Sequence, residues 1–307
     1  MLSSLITIFE KGMILFIMMA VGYVCGKTGM ITKRGAQQLT SILFYVVTPS
    51  LTISSLQNMI GKVSINSLLI CTILSAIVMA LSILISMLFF RKSTYEKKKV
   101  LRFAATYSNC GFMGIPLVEA VLGSAGVAYA SIFGAVYNFY VWSHGLVSMS
   151  SKRNIELKRL ILNPGLTGLA IGLPLFALSY RIPDLIAFPL SSFASLNTPL
   201  AMIVIGTFIS RVNLKEIFLD FDIYKLSAVR LLLIPLVVLA MLLPFHVDKT
   251  VAITVLLLSA APAGANTVMF AAQFGADAKL ASRAVALTTL ISMLTMPIFS
   301  VLALQLF

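Results

Sequence analysis

Ten long apolar runs, each about the length needed to cross a bilayer, constrain this chain more than any other feature. Hydrocarbon offers no water to pair with a backbone N–H or C=O, so only helices or closed barrels cross it, and a helix needs about 20 apolar residues to do so. The runs here are long and do not alternate with polar residues, which makes them helices. Composition agrees, because 59% of the residues are hydrophobic and 11% charged. The mean hydropathy of +1.01 lies outside the range of globular domains. The expected fold is an all-α integral membrane protein.

The spans are expected at about 5 to 26, 36 to 60, 64 to 90, 102 to 122, 124 to 148, 160 to 180, 186 to 210, 224 to 245, 250 to 274 and 283 to 306. Glu10 and Lys11 interrupt the first run, no cationic stretch precedes it and no small-residue cleavage site follows, so it reads as a span rather than a signal peptide. Of the 23 Lys and Arg, 19 fall in the loops after spans 1, 3, 5, 7 and 9, with Arg230 counted among them. Only Lys11, Lys62, Arg181 and Lys249 fall on the other side. Cationic loops stay cytoplasmic, so the expectation is a multi-pass protein of the inner (plasma) membrane with both termini outside. The net charge of +13 is then a set of loops facing anionic lipid, and nucleic acid is not an expected partner.

Five spans on each side of a short connection suggest a duplication, and an odd number per half turns the halves upside down relative to one another. The expected units are residues 1–150, a cytoplasmic connecting loop at 151–159, and residues 160–307. Helix breakers recur at matching depths. The midpoint between Arg34 and Lys62 falls on Thr48-Pro49, and that between Asp184 and Arg211 falls beside Asn197-Thr198-Pro199, so both second helices are expected to break. The fourth spans of the two halves centre on NCGFMGIP (Asn109 to Pro116) and SAAPAGAN (Ser259 to Asn266). Pro164, Pro174, Pro235 and Pro297 read as tolerated kinks.

A break leaves unpaired backbone groups at a depth where each costs several kcal/mol in lipid, so they must face protein or a water-filled cavity. The resumed half-helix presents free N–H groups and about half a positive charge, a seat for an anion. Asn109 and Asn266 would add neutral donors. Gly111, Gly114 and Gly264 would let the two broken helices cross closely and let ligand approach the backbone. No Lys or Arg falls within the central third of any expected span, so dipoles and amides would hold the ligand.

The motifs Asn109 with GFMGIPLVEAVLG, YNFYVW (Tyr137 to Trp142), LFYVVTPSL (Leu43 to Leu51) and PAGAN (Pro262 to Asn266) resemble the auxin efflux carrier family, which includes plant PIN proteins and bacterial permeases. The likeness runs through essentially the whole chain. It implies a scaffold of spans 1, 2, 6 and 7, a transport domain of spans 3 to 5 and 8 to 10, and an elevator-type alternating-access movement. It also places a substrate site at the crossover of helices 4 and 9, at Asn109, Gly111, Gly114, Pro116, Pro262, Gly264 and Asn266. The short central connection, unlike the long loop of many plant members, suggests a compact bacterial permease and a small organic anion, a carboxylate, as substrate. Pro49 and Pro199 join the candidate site through their breaks.

Glu119 is an acid inside a span and a candidate for H⁺ or Na⁺ coupling, against the alternative of a carboxylate near external water. Asn138 and Trp142, four apart, either line the cavity or pack. Gly22 and Gly26 read as a packing motif. Gly26-Lys27-Thr28 lacks the spacing and the preceding strand of a phosphate loop. Cys25, Cys71 and Cys110 with His144 and His246 have no metal-ligand spacing, so neither metal nor cofactor is expected. A channel, a carrier of a neutral or amphipathic solute, and a membrane enzyme or receptor are the rival classes; no acid/base or nucleophile pairing supports the last. The expected partners are membrane lipid, the organic anion and a second copy of the chain.

Overall fold

The structure, a computed structural model, describes residues 2–150, 164–211, 220–245 and 247–307. The expected connecting loop at 151–159 and His246 lie outside the described residues. The described residues form helices and no β-strand. Six helical stretches are long and apolar enough to cross a membrane: Lys33–Asn58, Ile65–Phe89, Cys110–Ser150, Asp184–Ile209, Phe221–Leu242 and Ala278–Leu306. Shorter apolar helices cover Met13–Lys27, Thr167–Ala177 and Lys249–Ala260.

In chain order the helices are α1 (Leu2–Lys27), α2 (Lys33–Ile42), α3 (Thr48–Asn58), α4 (Ile65–Phe89), α5 (Tyr95–Thr106), α6 (Ile115–Tyr140), α7 (Leu146–Ser150), α8 (Pro164–Ala177), α9 (Asp184–Ser195), α10 (Asn197–Ile209), α11 (Phe221–Ala228), α12 (Ile234–Leu242), α13 (Lys249–Ala260), α14 (Asn266–Gln273) and α15 (Ala278–Leu306). Their starts carry side-chain caps that accept first-turn N–H groups: Thr32 for α2, Ser64 for α4, Asp220 for α11, Asp248 for α13 and Asp277 for α15.

Four wide turns of π-helix sit inside these runs, at Leu43–Val47, Cys110–Gly114, Val141–Gly145 and Val229–Leu233. Three of them are followed two residues later by a proline, Pro49, Pro116 and Pro235, in the first turn of the next helix. A proline ring collides with the carbonyl four residues back. Widening that turn to i→i+5 bonding moves the carbonyl aside, so the chain bends without opening. This corrects the expected break at Pro49, where the helix stays closed. Pro199 likewise sits in the first turn of α10, where its missing N–H has no carbonyl to meet, and α9 joins α10 through Leu196 alone. Among the described residues the runs through Pro49 and Pro199 bend, and those through Asn109 and Pro262 open.

The expected fourth span also starts earlier, since α5 begins at Tyr95 and carries Lys97, Lys98, Lys99 and Arg102 on its first turns. No loop separates it from the next span: α6 continues past Gly123, whose φ of 64° and ψ of −154° fold the chain back within one residue. Side chains other than glycine's do not adopt that conformation.

Helix packing is densest within two groups, which meet where α6 lies on α3 and α8 and where α15 lies on α1. α1 lies along α10, and α3 packs against α8 and α9. The second group joins α4, α5, α6, α11, α12, α13, α14 and α15, with α6 on α13 and on α4 as its main contacts. The Gly22 and Gly26 motif is helix packing, as expected: a Cβ on Gly22 would enter the backbone of Ile203, and one on Gly26 would strike Ser210. Gly206 presses in return on the backbone of Met19 and Tyr23, and Thr207 Oγ1 donates to the Gly22 carbonyl at 3.1 Å. Gly206→Leu should therefore force α1 and α10 apart at a cost of about 3 kcal/mol. The check is the thermal midpoint of the purified protein, which should fall by several degrees; an unchanged midpoint would contradict this packing.

Candidate functional site

The two open breaks meet. α5 stops at Thr106 and the chain runs extended through Tyr107 before the π turn begins at Cys110. α13 stops at Ala260 and runs extended through Ala261 to resume at Asn266. Between them Ser108 and Ala263 form an antiparallel bridge, in which Asn109 N donates to Pro262 O at 2.6 Å and Gly264 N donates to Tyr107 O at 2.9 Å. Each break thus satisfies the other's backbone, and Ala263 N finds Thr288 Oγ1 on α15 at 3.2 Å.

The carbonyls left at the two helix ends go to one side chain. Arg230 Nε donates to Ala261 O at 3.0 Å, Nη1 to Ala105 O at 3.0 Å and to Thr106 O, and Nη2 to Ser259 O. At 1% exposure this guanidinium is buried at the crossover. The expectation that no cation reaches the site, and the placement of Arg230 in a cytoplasmic loop, are both wrong. α11 begins at Phe221, so Arg230 lies nine residues, about 14 Å, along the run. Its long side chain then reaches the break. Withdrawing it from the 19 loop cations leaves 18, and the bias stands.

The expected site residues divide. Asn109, 7% exposed, lies at the head of the π turn, where Met113 N and Gly114 N both donate to its carbonyl at 3.1 Å. Intrahelical bonding starts there, so Cys110, Gly111 and Phe112 have N–H groups with no helix carbonyl ahead of them; the first two turn to the Cys110 thiol. Asn266 is half-buried, and the Tyr137 hydroxyl reaches its side chain from α6. A Cβ on Gly264 would meet Ser108 O at 3.0 Å and Tyr107 O at 3.2 Å, and one on Gly114 would meet Leu258 at 2.6 Å, so these two glycines permit the crossing. Gly111 does not: nothing lies within 4 Å of the position its Cβ would take. Its half-exposed backbone faces open space.

Pro116 is buried in the first turn of α6, and Pro262 supplies its carbonyl to Asn109. Pro49 is not at the crossover but under Gly168 of α8, whose Cβ would come within 2.9 Å of it. Pro199 stands next to Thr198, whose hydroxyl donates to Glu119 at 2.9 Å. Glu119 is therefore half-buried and bonded across the two packing groups. Beside it Asn197, 3% exposed, keeps its Nδ2 without a protein partner. Asn138 is half-buried on α6, whereas Trp142 packs on Phe270 with ring centroids 5.2 Å apart. Phe103 and Tyr107 extend that aromatic layer under the bridge, and the Tyr107 hydroxyl donates to Tyr140 O and bonds His144 Nδ1, both at 2.9 Å. Among the described residues no group of His, Cys, Asp and Glu is arranged to hold a metal.

Sequence reasoning missed Arg230, Thr198, Tyr107, Tyr137 and Thr288. For Arg230 a signal existed: Asp220 caps α11 and Pro235 opens the π turn that carries the arginine, which together put it inside the span.

Crossed, opened helices within a bundle of long apolar helices are the build of a multi-pass membrane protein. The family model described as "Membrane transport protein" matches residues 7–158 and 153–300, and this chain belongs to that family, the auxin efflux carriers. An "Uncharacterized transporter" of Methanothermobacter thermautotrophicus is 26% identical over 300 residues, covering 95% of this chain and 97% of the relative.

The glycine geometry separates two variants. Gly264→Ala should lower the thermal midpoint by several degrees, because backbone atoms of the opposite break cannot give way, whereas Gly111→Ala should leave it unchanged. Equal midpoints for the two variants would show the crossing to be looser than described.

Proposed function

We propose that the protein is a secondary carrier of a small organic anion, a carboxylate, bound at the crossover of α5/α6 with α13/α14. The observation that carries this reading is the open space at Gly111, at the start of a helix whose first N–H groups meet no helix carbonyl, those of Cys110 and Gly111 having only the weakly accepting Cys110 thiol. Such groups are a seat for a carboxylate, and Asn109 and Asn266 flank the seat, one from each half. If each broken pair is one crossing, α5 with the first part of α6, and α13 with α14, complete two inverted sets of five. Both termini then lie outside, as the 18 remaining loop cations favour.

The division of packing supports an elevator movement. The group built on α1, α3, α8, α9 and α10 would be the scaffold, and the crossover would travel with the other group. A carrier whose site moves needs interfaces of low polarity, and away from the Thr198–Glu119 bond the described boundary offers such surface: Phe44 packs on Phe112 with centroids 5.1 Å apart, and an apolar crevice is lined by Leu15, Phe16, Met113, Leu117, Met202 and Met296.

Counterflow in proteoliposomes tests the reading. External carboxylate should accelerate efflux of labelled carboxylate and saturate, and Asn109→Ala and Asn266→Ala should each reduce the rate at least about 10-fold without loss of folded protein. Flux linear in concentration, or two variants with the wild-type rate, would dismiss a crossover carrier.

Glu119, bonded to Thr198 across the boundary, is the proposed coupling group. Glu119→Gln should keep counterflow, which needs no driving ion, but remove stimulation of net uptake by an inward H⁺ or Na⁺ gradient. Stimulation that survives the substitution would exclude Glu119 from coupling.

A further inference from the structure

We infer that Arg230 sets the charge of the crossover and thereby restricts the site to ligands bearing a single negative charge. This rests on the crossover being the substrate site. Four half-helix ends meet there. The starts at Cys110 and Asn266 each present about half a positive charge, and the ends at Thr106 and Ala260 about half a negative one, so the backbone dipoles nearly cancel.

Arg230 changes that balance. Its guanidinium bonds carbonyls of both C-terminal ends, Ala105 and Thr106 on one and Ser259 and Ala261 on the other, and so places a whole positive charge where the negative ends converge. No carboxylate among the described residues is paired with it; its nearest titratable neighbours are the Cys110 thiol and the Tyr137 hydroxyl, both neutral when protonated. An arginine does not lose its proton in a protein. Among the described residues the crossover therefore carries one unneutralised positive charge in an apolar interior.

A buried charge without a counter-ion is costly. A monoanion seated on the two N-terminal ends brings the sum to zero. A neutral ligand of the same shape leaves the charge standing, and a dianion replaces it with a negative one. Lysine could supply the charge, but only the planar fork of arginine can bridge two helix ends at once. Arg230 bonds backbone and not ligand, so it is a specificity residue acting through the helix ends it holds.

The test is the thermal shift of the purified protein, since a ligand of the folded state raises its midpoint. The probes are acetate, lactate and benzoate, the corresponding amides, and the dicarboxylates malonate, succinate and phthalate at constant ionic strength. At least one monocarboxylate should raise the wild-type midpoint saturably. Its Kd should lie about 10-fold or more below that of its amide and no higher than that of the dicarboxylates. Arg230→Gln should bring the acid-to-amide ratio to about 1, and Arg230→Lys should lower the midpoint without ligand yet keep the ratio. A role confined to holding the helices would weaken acid and amide alike.

The inference is overturned if the wild type binds none of the acids, binds acid and amide equally, or prefers a dicarboxylate, and equally if Arg230→Gln keeps the ratio. Should Arg230→Gln fail to fold, the wild-type ratios and Arg230→Lys still decide. Asn109→Ala separates the two readings: it should lose acid and amide binding together, and wild-type binding by that variant would remove the crossover as the site while saying nothing against Arg230 as a cap.

Discussion

Two hydrogen bonds between extended segments, Asn109 to Pro262 and Gly264 to Tyr107, are what the rest of the architecture depends on. A helix opened inside lipid exposes groups that water would otherwise take, and those groups must find partners within the protein. Two opened helices laid antiparallel can each supply what the other lacks. The remaining requirements follow. Gly264 must have no side chain, because backbone lies 3.0 Å from where one would start, and Thr288 must stand behind the bridge to take the Ala263 N–H. The aromatic layer of Phe103, Tyr107, Trp142 and Phe270 closes the space beneath.

The bridge accounts for the middle of each break but not for its helix ends, and there the solution is asymmetric. Both C-terminal ends are tied to Arg230, a residue of the second half. The N-terminal end at Cys110 has only the thiol of that residue against its first N–H groups, and among the described residues nothing lies within 4 Å of where a Gly111 Cβ would start. The two breaks are alike in sequence but not in this respect: one cation, on α11's run, serves both.

Much of this was legible in the sequence, for particular reasons. The apolar runs predicted helices because lipid admits little else, and NCGFMGIP and SAAPAGAN marked the two openings because Gly, Pro and Asn gather there without a compensating charge. The same logic failed at Pro49 and Pro199. A proline specifies only that one N–H is missing and one carbonyl displaced, and a π turn or a helix start meets both conditions without opening. Arg230 was hidden by its neighbourhood. A cation ten residues from a loop looks like part of that loop until the start of α11 is known, and which carbonyls it reaches depends on a contact across 125 positions of sequence that no local pattern encodes. Thr198 with Glu119 is illegible for the same reason.

Gly123 turns the chain between the resumed half of the fourth crossing and the next one without a connecting loop. A joint of one residue has almost no slack. Whatever displaces the Cys110–Gly114 turn must carry the helix beyond Gly123 with it, along with Tyr137 on the crossover and Trp142 on Phe270. Under the proposed elevator reading, the helices on either side of Gly123 would move as one folded lever. Loosening that joint would cost the protein the stiffness by which a small displacement at one end is delivered undiminished to the other.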